Sequence, residues 1–144
     1  MIKIIKNTNQ DIQLLALFLN DAGKSLNTFR YYSKRPLEII LNHIYTILIL
    51  NELKIPVGYG HLDPQGDFVW LGICVSEKQI GKGLGKMIMS NLTKKADSSG
   101  ISELILQVDK QNVKAVSLYQ KFNFKISDEK DELYFIMRRI RNIE

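Results

Sequence analysis

The chain has 144 residues, 45% of them hydrophobic and 24% charged, with 9 Gly, 3 Pro and a single cysteine, Cys74. That length suits one domain of about 100–200 residues, and the balance excludes a disordered or collagen-like chain. One cysteine excludes an internal disulfide and a multi-cysteine zinc site. The 20 Lys+Arg against 15 Asp+Glu leave +5, which a nucleic acid, an anionic lipid surface or a small anionic ligand could each answer. Residues 1–144 are therefore read as one domain that calls for no metal.

The start, Met1 to Lys6, alternates apolar and basic residues and lacks the apolar run and small-residue cleavage site of a signal peptide. The longest apolar stretch, Ile44 to Leu50, contains Thr46 and falls short of the about 20 residues that span a bilayer. The expectation is a soluble, cytoplasmic protein.

Ile2, Ile4 and Ile5 suggest a first strand. Thr8 or Asn9 can cap a helix with Ile12, Leu15 and Leu19 at a 3.6-residue period, which Asp21-Ala22-Gly23 ends. Pro36 suits the first turn of a second helix carrying Leu37, Ile40 and Leu41. Residues 45–51 and 55–62 read as a hairpin, and Asp63-Pro64-Gln65-Gly66-Asp67 as the turn after it. Phe68 to Val75 is nearly all apolar, as in a strand covered on both faces. Beyond it lie a glycine loop at 81–85 and a helix with Leu84, Met87, Ile88 and Leu92 on one face, closed by Gly100. A strand over 101–108 follows, then a helix capped by Asn112 and two strands at 124–126 and 133–137. The order β-α-α-β-β-β-α-β-α-β-β describes an α/β (α+β) domain, a mixed, mostly antiparallel sheet flanked by helices.

The segment Val75-Ser76-Glu77-Lys78-Gln79-Ile80-Gly81-Lys82-Gly83-Leu84-Gly85-Lys86 runs from a strand through three glycines into a helix. The first turn of a helix offers unpaired N–H groups and partial positive charge, and glycines let a ligand approach the backbone, so a phosphate is the natural guest. The P-loop reading fails because Met87 stands where Ser or Thr must follow Gly-Lys, and the dinucleotide fingerprint fails because position 88 is Ile88. An ordinary glycine-rich turn is the remaining alternative. Between Lys78 and Lys95 lie five lysines and no acidic residue, and Lys78, Lys82 and Lys86 bracket the glycines.

This loop resembles the acetyl-coenzyme A pyrophosphate loop of the GNAT superfamily of N-acetyltransferases, whose pattern is Gln/Arg-x-x-Gly-x-Gly/Ala. Ile80 stands at the first position, Gly83 and Gly85 at the glycine positions, and Gln79 one residue early. The resemblance continues in Asn112-x-x-Ala115-x-x-x-Tyr119-x-x-Phe122-Asn123-Phe124, with Asn123 where the family usually has Gly. Asn is the next-best residue for a left-handed helix cap.

The resemblance implies acetyl transfer from acetyl-coenzyme A to an amine. It implies that backbone groups of Ile73 and Val75 hold the pantetheine arm as an added strand, with the Ile73 N–H toward the thioester oxygen. It implies that Ile80, Gly81, Lys82, Gly83, Leu84, Gly85 and Lys86 cradle the pyrophosphate, and that Asn112 contacts the cofactor. Tyr119, two helical turns after Asn112, is the candidate general acid, since a phenol is protonated at neutral pH; the same spacing suits a core aromatic. Residues 68–72 hold no carboxylate to serve as base. His61 is the candidate, with Asp63 beside it, and a structural histidine or a water relay are the alternatives. Cys74 sits in an apolar strand and reads as a small buried hydrophobe rather than a nucleophile.

The aromatic and cationic segment 28–36 suits an anionic amine, such as an amino sugar nucleotide, held by Arg30, Tyr31, Arg35 and Trp70. A solvated loop with its aromatics packed on the core fits the same residues. A protein or peptide acceptor and a coenzyme A-binding regulator without catalysis are the other functional readings. A specific nucleic-acid partner is not expected, for no zinc ligands, RNA-binding aromatic motif or recognition helix is present. The state is monomer or homodimer, the final apolar strand being either a sheet edge shared with another subunit or a covered strand.

Overall fold

The computed structural model describes residues 1–141. Seven strands form one sheet: β1 (Ile2–Ile4), β2 (Tyr45–Leu50), β3 (Pro56–Gln65), β4 (Phe68–Val75), β5 (Glu103–Asp109), β6 (Lys125–Asp128) and β7 (Tyr134–Ile140). Their spatial order is β1-β2-β3-β4-β5-β7-β6. Every pairing is antiparallel except β4 with β5. Helices α1 (Asn9–Asp21), α2 (Leu84–Ser98) and α3 (Val113–Lys121) complete the fold. Among the described residues no helix is long and apolar enough to cross a membrane.

Two apolar clusters, one on each side of the sheet, hold the layers. Under α2, the side chains of Ile88, Met89, Leu92 and Ala96 pack with Ile47, Leu62, Leu71, Leu104 and Met137. Under α1, Leu15 and Phe18 pack with Leu48, Leu50, Tyr59 and Cys74. Adjacent residues of β2 and β4 thus feed opposite faces, as the pleat requires. Two glycines of β3 set the height of α2 above the sheet. A Cβ at Gly60 would lie 2.6 Å from Ile88 Cγ2, and one at Gly58 3.2 Å from Ile88 Cδ1.

The expected caps form. Thr8 Oγ1 accepts from the Asp11 N–H at 3.2 Å, Asn112 caps α3, and Asn123 takes φ 70° at the end of α3. Three expectations are corrected, and the last strand takes the covered of its two expected places. The segment read as a second helix from Pro36 is a short 3-10 turn at Leu37–Asn42, and two more such turns, at Gly23–Asn27 and Tyr31–Ser33, precede it. The residues read as a long turn continue β3 through Gln65, leaving Gly66 and Asp67 as the turn. Pro64 is tolerated because its ring nitrogen points away from β4, on a side where β2 has already ended at Tyr45. Met87 is exposed, and Met89 takes the core position instead. The last strand, β7, lies between β5 and β6, so the sheet edges are β1 and β6.

Gly60→Ala should cost about 1–3 kcal/mol through overpacking against Ile88. Urea denaturation followed by circular dichroism checks this as a lowered midpoint at unchanged slope.

Candidate active site

The parallel strands β4 and β5 pair at one position, Trp70 with Ile105, and diverge beyond it. The Ser76 N–H donates to the Val57 carbonyl at 3.0 Å, which makes that a hydrogen-bonded pair of the β3–β4 ladder. Alternation then turns the backbone groups of Trp70, Gly72 and Cys74 toward β3, and those of Leu71, Ile73 and Val75 toward the gap. The Ser25 hydroxyl takes one of these by donating to the Val75 carbonyl at 2.6 Å. Ile73 and the Val75 N–H are left as an open strand edge. A cavity of about 80 Å³ in this gap is lined by Ile73, Gly72, Gln107, Asn112 and Tyr119 among others.

The edge leads to the glycine loop. Gly81 and Gly83 have φ of 88° and 81°, values that demand glycine for conformational reasons, since a Cβ at either would meet no atom within 4 Å. Gly83 caps α2 without any side-chain acceptor, and the Met87 N–H makes a helical bond back to its carbonyl at 3.1 Å. The amides of Leu84, Gly85 and Lys86 therefore face outward with the positive end of α2. Gly85 has a separate reason to lack a side chain, because a Cβ would stand 3.1 Å from Leu118 Cδ2 on α3. Gln79 braces the loop by accepting from Lys82 Nζ at 3.0 Å. Ile80 is 54% exposed and contributes no polar group. Lys78, Lys82 and Lys86 are exposed, and no carboxylate among the described residues pairs with them.

At the other end of the edge lies a cavity of about 420 Å³ lined by Phe29, Arg30, Tyr31, Arg35, His61 and Trp70, together with Gly72 and Asp109. All four residues expected to face the acceptor are thus gathered there, with the candidate base. Arg30 spends its charge on Asp109, its two terminal nitrogens donating to the carboxylate at 2.9 and 3.2 Å. Arg35 lies over the Tyr31 ring, 4.3 Å from its centroid, and pairs with no carboxylate among the described residues. His61 is 2% exposed and stands over Gly72, where a Cβ would come within 2.6 Å of its Cε1 and Nε2. Gly72 is therefore what admits the imidazole to the cavity wall.

Behind that wall is a polar cluster. The Tyr31 hydroxyl donates to Asp63 Oδ2 at 2.7 Å and meets His43 Nε2 at 2.7 Å. With its one proton given to Asp63, Tyr31 accepts from His43, whose Nδ1 then accepts from the Thr46 hydroxyl, 2.8 Å away. Gln65 Nε2 also donates to Asp63 Oδ2, at 2.7 Å. His61 Nδ1 lies 2.6 Å from the Tyr59 hydroxyl, which lies 2.6 Å from that of Tyr32. Tyr59, Gly72, Gln107 and Asp109 were not singled out in the sequence. Only the alternation of Tyr59 with His61 on one strand face hinted at any of them.

Tyr119 belongs to the smaller cavity, against Phe124, and is nearly buried. Burial raises its phenol above the ordinary tyrosine range. Burial also pushes the Cys74 thiol up to about 12, which makes a thiolate nucleophile there unfavourable. His43 is lowered to about 4, chiefly by burial, and His61 is held well below its ordinary value by burial with His43 and Arg35 nearby. Both imidazoles are thus neutral in the folded protein at pH 7. Between about pH 6.5 and 4.5 the unfolded chain binds protons at these positions that the folded chain does not. The melting temperature should fall as pH drops through that window, and His43→Gln should flatten part of the fall; differential scanning calorimetry across pH checks both.

Residues 13–124 match the model of the acetyltransferase (GNAT) family. The chain is 35% identical over 79 residues to the uncharacterized N-acetyltransferase YobR of Bacillus subtilis (strain 168); the match covers 55% of this chain and 29% of that one. The chain thus spans well under half the length of that curated relative. Among solved structures, the PaiA N-acetyltransferase of Thermoplasma acidophilum, in complex with coenzyme A, superposes with a TM-score of 0.76 at 22% identity over 98% of this chain and 99% of that one. A GCN5-related N-acetyltransferase from Kribbella flavida gives 0.78 at 15% identity over 97% and 98%. With a family model matched over most of its length, and with the splayed sheet and glycine-capped helix in place, the chain belongs to the GNAT acetyltransferase family.

Proposed function

We propose that the protein transfers an acetyl group from acetyl-coenzyme A to the primary amine of a small anionic molecule, an amino sugar nucleotide being one such acceptor. The observation behind this reading is that the open edge of β4 joins two different sites. One end meets a glycine loop suited to a pyrophosphate, and the other meets a cavity suited to an amine-bearing guest. The two cavities share Thr28, Phe29, Leu71, Gly72, Gln107 and Asp109, so donor and acceptor would meet beside Gly72.

Acetyl-coenzyme A fits the residues present and supplies an activated thioester. The amides of Leu84, Gly85 and Lys86, with the lysines around them, suit its pyrophosphate. Ile73 and Val75 offer N–H groups to its amide-bearing arm, as a strand edge does to an added strand. The Ile73 N–H is the donor placed to face the carbonyl oxygen. Asn112 lines the same gap while its side-chain oxygen accepts from the Ala115 N–H at 3.4 Å, a long bond that leaves it free to serve a guest. Tyr119 keeps its proton across the working range and is the group to serve the departing sulfur. His61, neutral at pH 7, presents an imidazole to the incoming amine.

On the acceptor side Arg30 is neutralised by Asp109, so Arg35 is the cation that recognises a carboxylate or phosphate. Phe29 and Trp70 give flat walls. The volume of about 420 Å³ suits a small-molecule guest.

A panel of amino sugar nucleotides, amino acids and polyamines, assayed for thiol release from acetyl-coenzyme A, tests the reading. Acceptor-dependent release, highest for anionic amines, is the expected result. Coenzyme A binding by calorimetry with no release on any amine would favour a regulator, and no binding would end the reading. Tyr119→Phe should lower kcat by about 10²-fold with the KM for acetyl-coenzyme A unchanged. Arg35→Ala should raise the acceptor KM about 10-fold or more, the worth of one charge-assisted contact.

A further inference from the structure

Amide formation from an ammonium and a thioester makes one N–C bond, breaks one C–S bond, and strips two protons from nitrogen. One ends on sulfur as a thiol; the other must leave the site. His61 cannot keep it, since a cation on a buried imidazole with Arg35 and His43 close by is costly.

We propose, on the reading just given, that this second proton leaves through a wire of three side chains, from His61 through Tyr59 to Tyr32. Its first link is at the cavity wall, where the Nε2 edge of His61 lies against Gly72. Its second is Tyr59, fully buried between Phe18 and Phe29, with its hydroxyl 2.6 Å from His61 Nδ1 on one side and 2.6 Å from the Tyr32 hydroxyl on the other. Its third is Tyr32, partly exposed, in the 3-10 turn beside exposed Ser33 and Lys34.

The core around Tyr59 is aliphatic and aromatic, and the Tyr59 hydroxyl is the polar group that meets the buried His61 Nδ1 there. The buried hydroxyl has two partners and one proton, so the chain of hydrogen bonds has one direction at a time. In the resting direction His61 Nδ1–H donates to Tyr59, Tyr59 donates to Tyr32, and the Nε2 lone pair faces the cavity. When Nε2 takes the ammonium proton, Nδ1 passes its own to Tyr59, Tyr59 passes its own to Tyr32, and Tyr32 releases one to water. No imidazolium persists. The end state is the reversed chain, and it resets once product has left: Nε2 gives its proton to water in the open cavity, while Tyr32 takes one from bulk water and the two hydroxyls hand one back to Nδ1.

His61 touches the reacting amine; Tyr59 and Tyr32 act through it. Tyr59→Phe and Tyr32→Phe should therefore each lower kcat about 10-fold or more on the best acceptor of the panel. The KM for acceptor and acetyl-coenzyme A should stay within about twofold, and the double variant should be no slower than either single one, as for parts of one unit. The half-buried position of Tyr32, at the edge of the core, keeps the test sound should Tyr59→Phe fold poorly. A second readout needs no acceptor: long-range 1H–15N correlation spectra of the free protein should show His61 neutral with its proton on Nδ1, and Tyr59→Phe should shift that tautomer balance. Variants with wild-type kcat, or a resting His61 protonated on Nε2, overturn the wire while leaving the enzyme reading intact. A wild-type protein inactive on every amine overturns the enzyme reading, and the wire with it.

Discussion

The structure depends on a sheet that fails to close. Strands β4 and β5 run parallel and meet at Trp70 and Ile105 alone. Parallel pairing is the weaker kind of ladder, and here the other edges of both strands are satisfied by long antiparallel partners, β3 and β7. Nothing then pulls the gap shut. Backbone amides of Ile73 and Val75, which would be costly to leave unpaired in a sealed core, instead line a gap that opens to cavities at either end. The hydrophobic layers above and below carry the stability that the missing ladder would have supplied.

The same gap orders the chemistry along one line. Helix α2 rests low on Gly58 and Gly60, so its N-terminus reaches the rim of the gap, where positive-φ glycines leave its amides bare. The 3-10 segment between α1 and β2 runs along the gap, tied down by the Ser25 hydroxyl on the Val75 carbonyl at the loop end and by the Arg30–Asp109 pair at the other. Charge follows this division. Lysines surround the loop and pair with no carboxylate among the described residues, whereas the cations of the acceptor side are partly matched. The net +5 of the composition equals in number the five lysines between residues 78 and 95, and it is better understood as a local field around a phosphate site than as affinity for a polyanion at large.

Much of this was legible in the order of residues. Local signals carried it: the 3.6-residue period of α1, the cap at Thr8, the left-handed position at Asn123 and the glycine run before α2 all act over a few residues. The strand edge at Ile73 and Val75 followed from a motif resemblance, and the alternation of the β3–β4 ladder gives it a geometric cause. Illegible were interactions set by tertiary contact. Residues 36–42 have a proline and apolar residues in helical places, yet the aromatics just before them turn inward to Tyr59 and His61, and short turns accommodate this better than a helix. The partners of Tyr31, namely His43 and Asp63, lie 12 and 32 residues away, and Asp109 lies 79 residues from Arg30. No local pattern announces such pairs.

The central claim is that one cofactor spans the glycine loop and the open edge of β4. Titrating acetyl-coenzyme A into 15N-labelled protein and following backbone amides by NMR tests it directly. The account predicts saturable shifts at Ile73, Val75 and the amides from Gly81 to Lys86, with β6, on the far edge of the sheet, unmoved. Shifts confined to exposed lysines, or none at Ile73 and Val75, would contradict it.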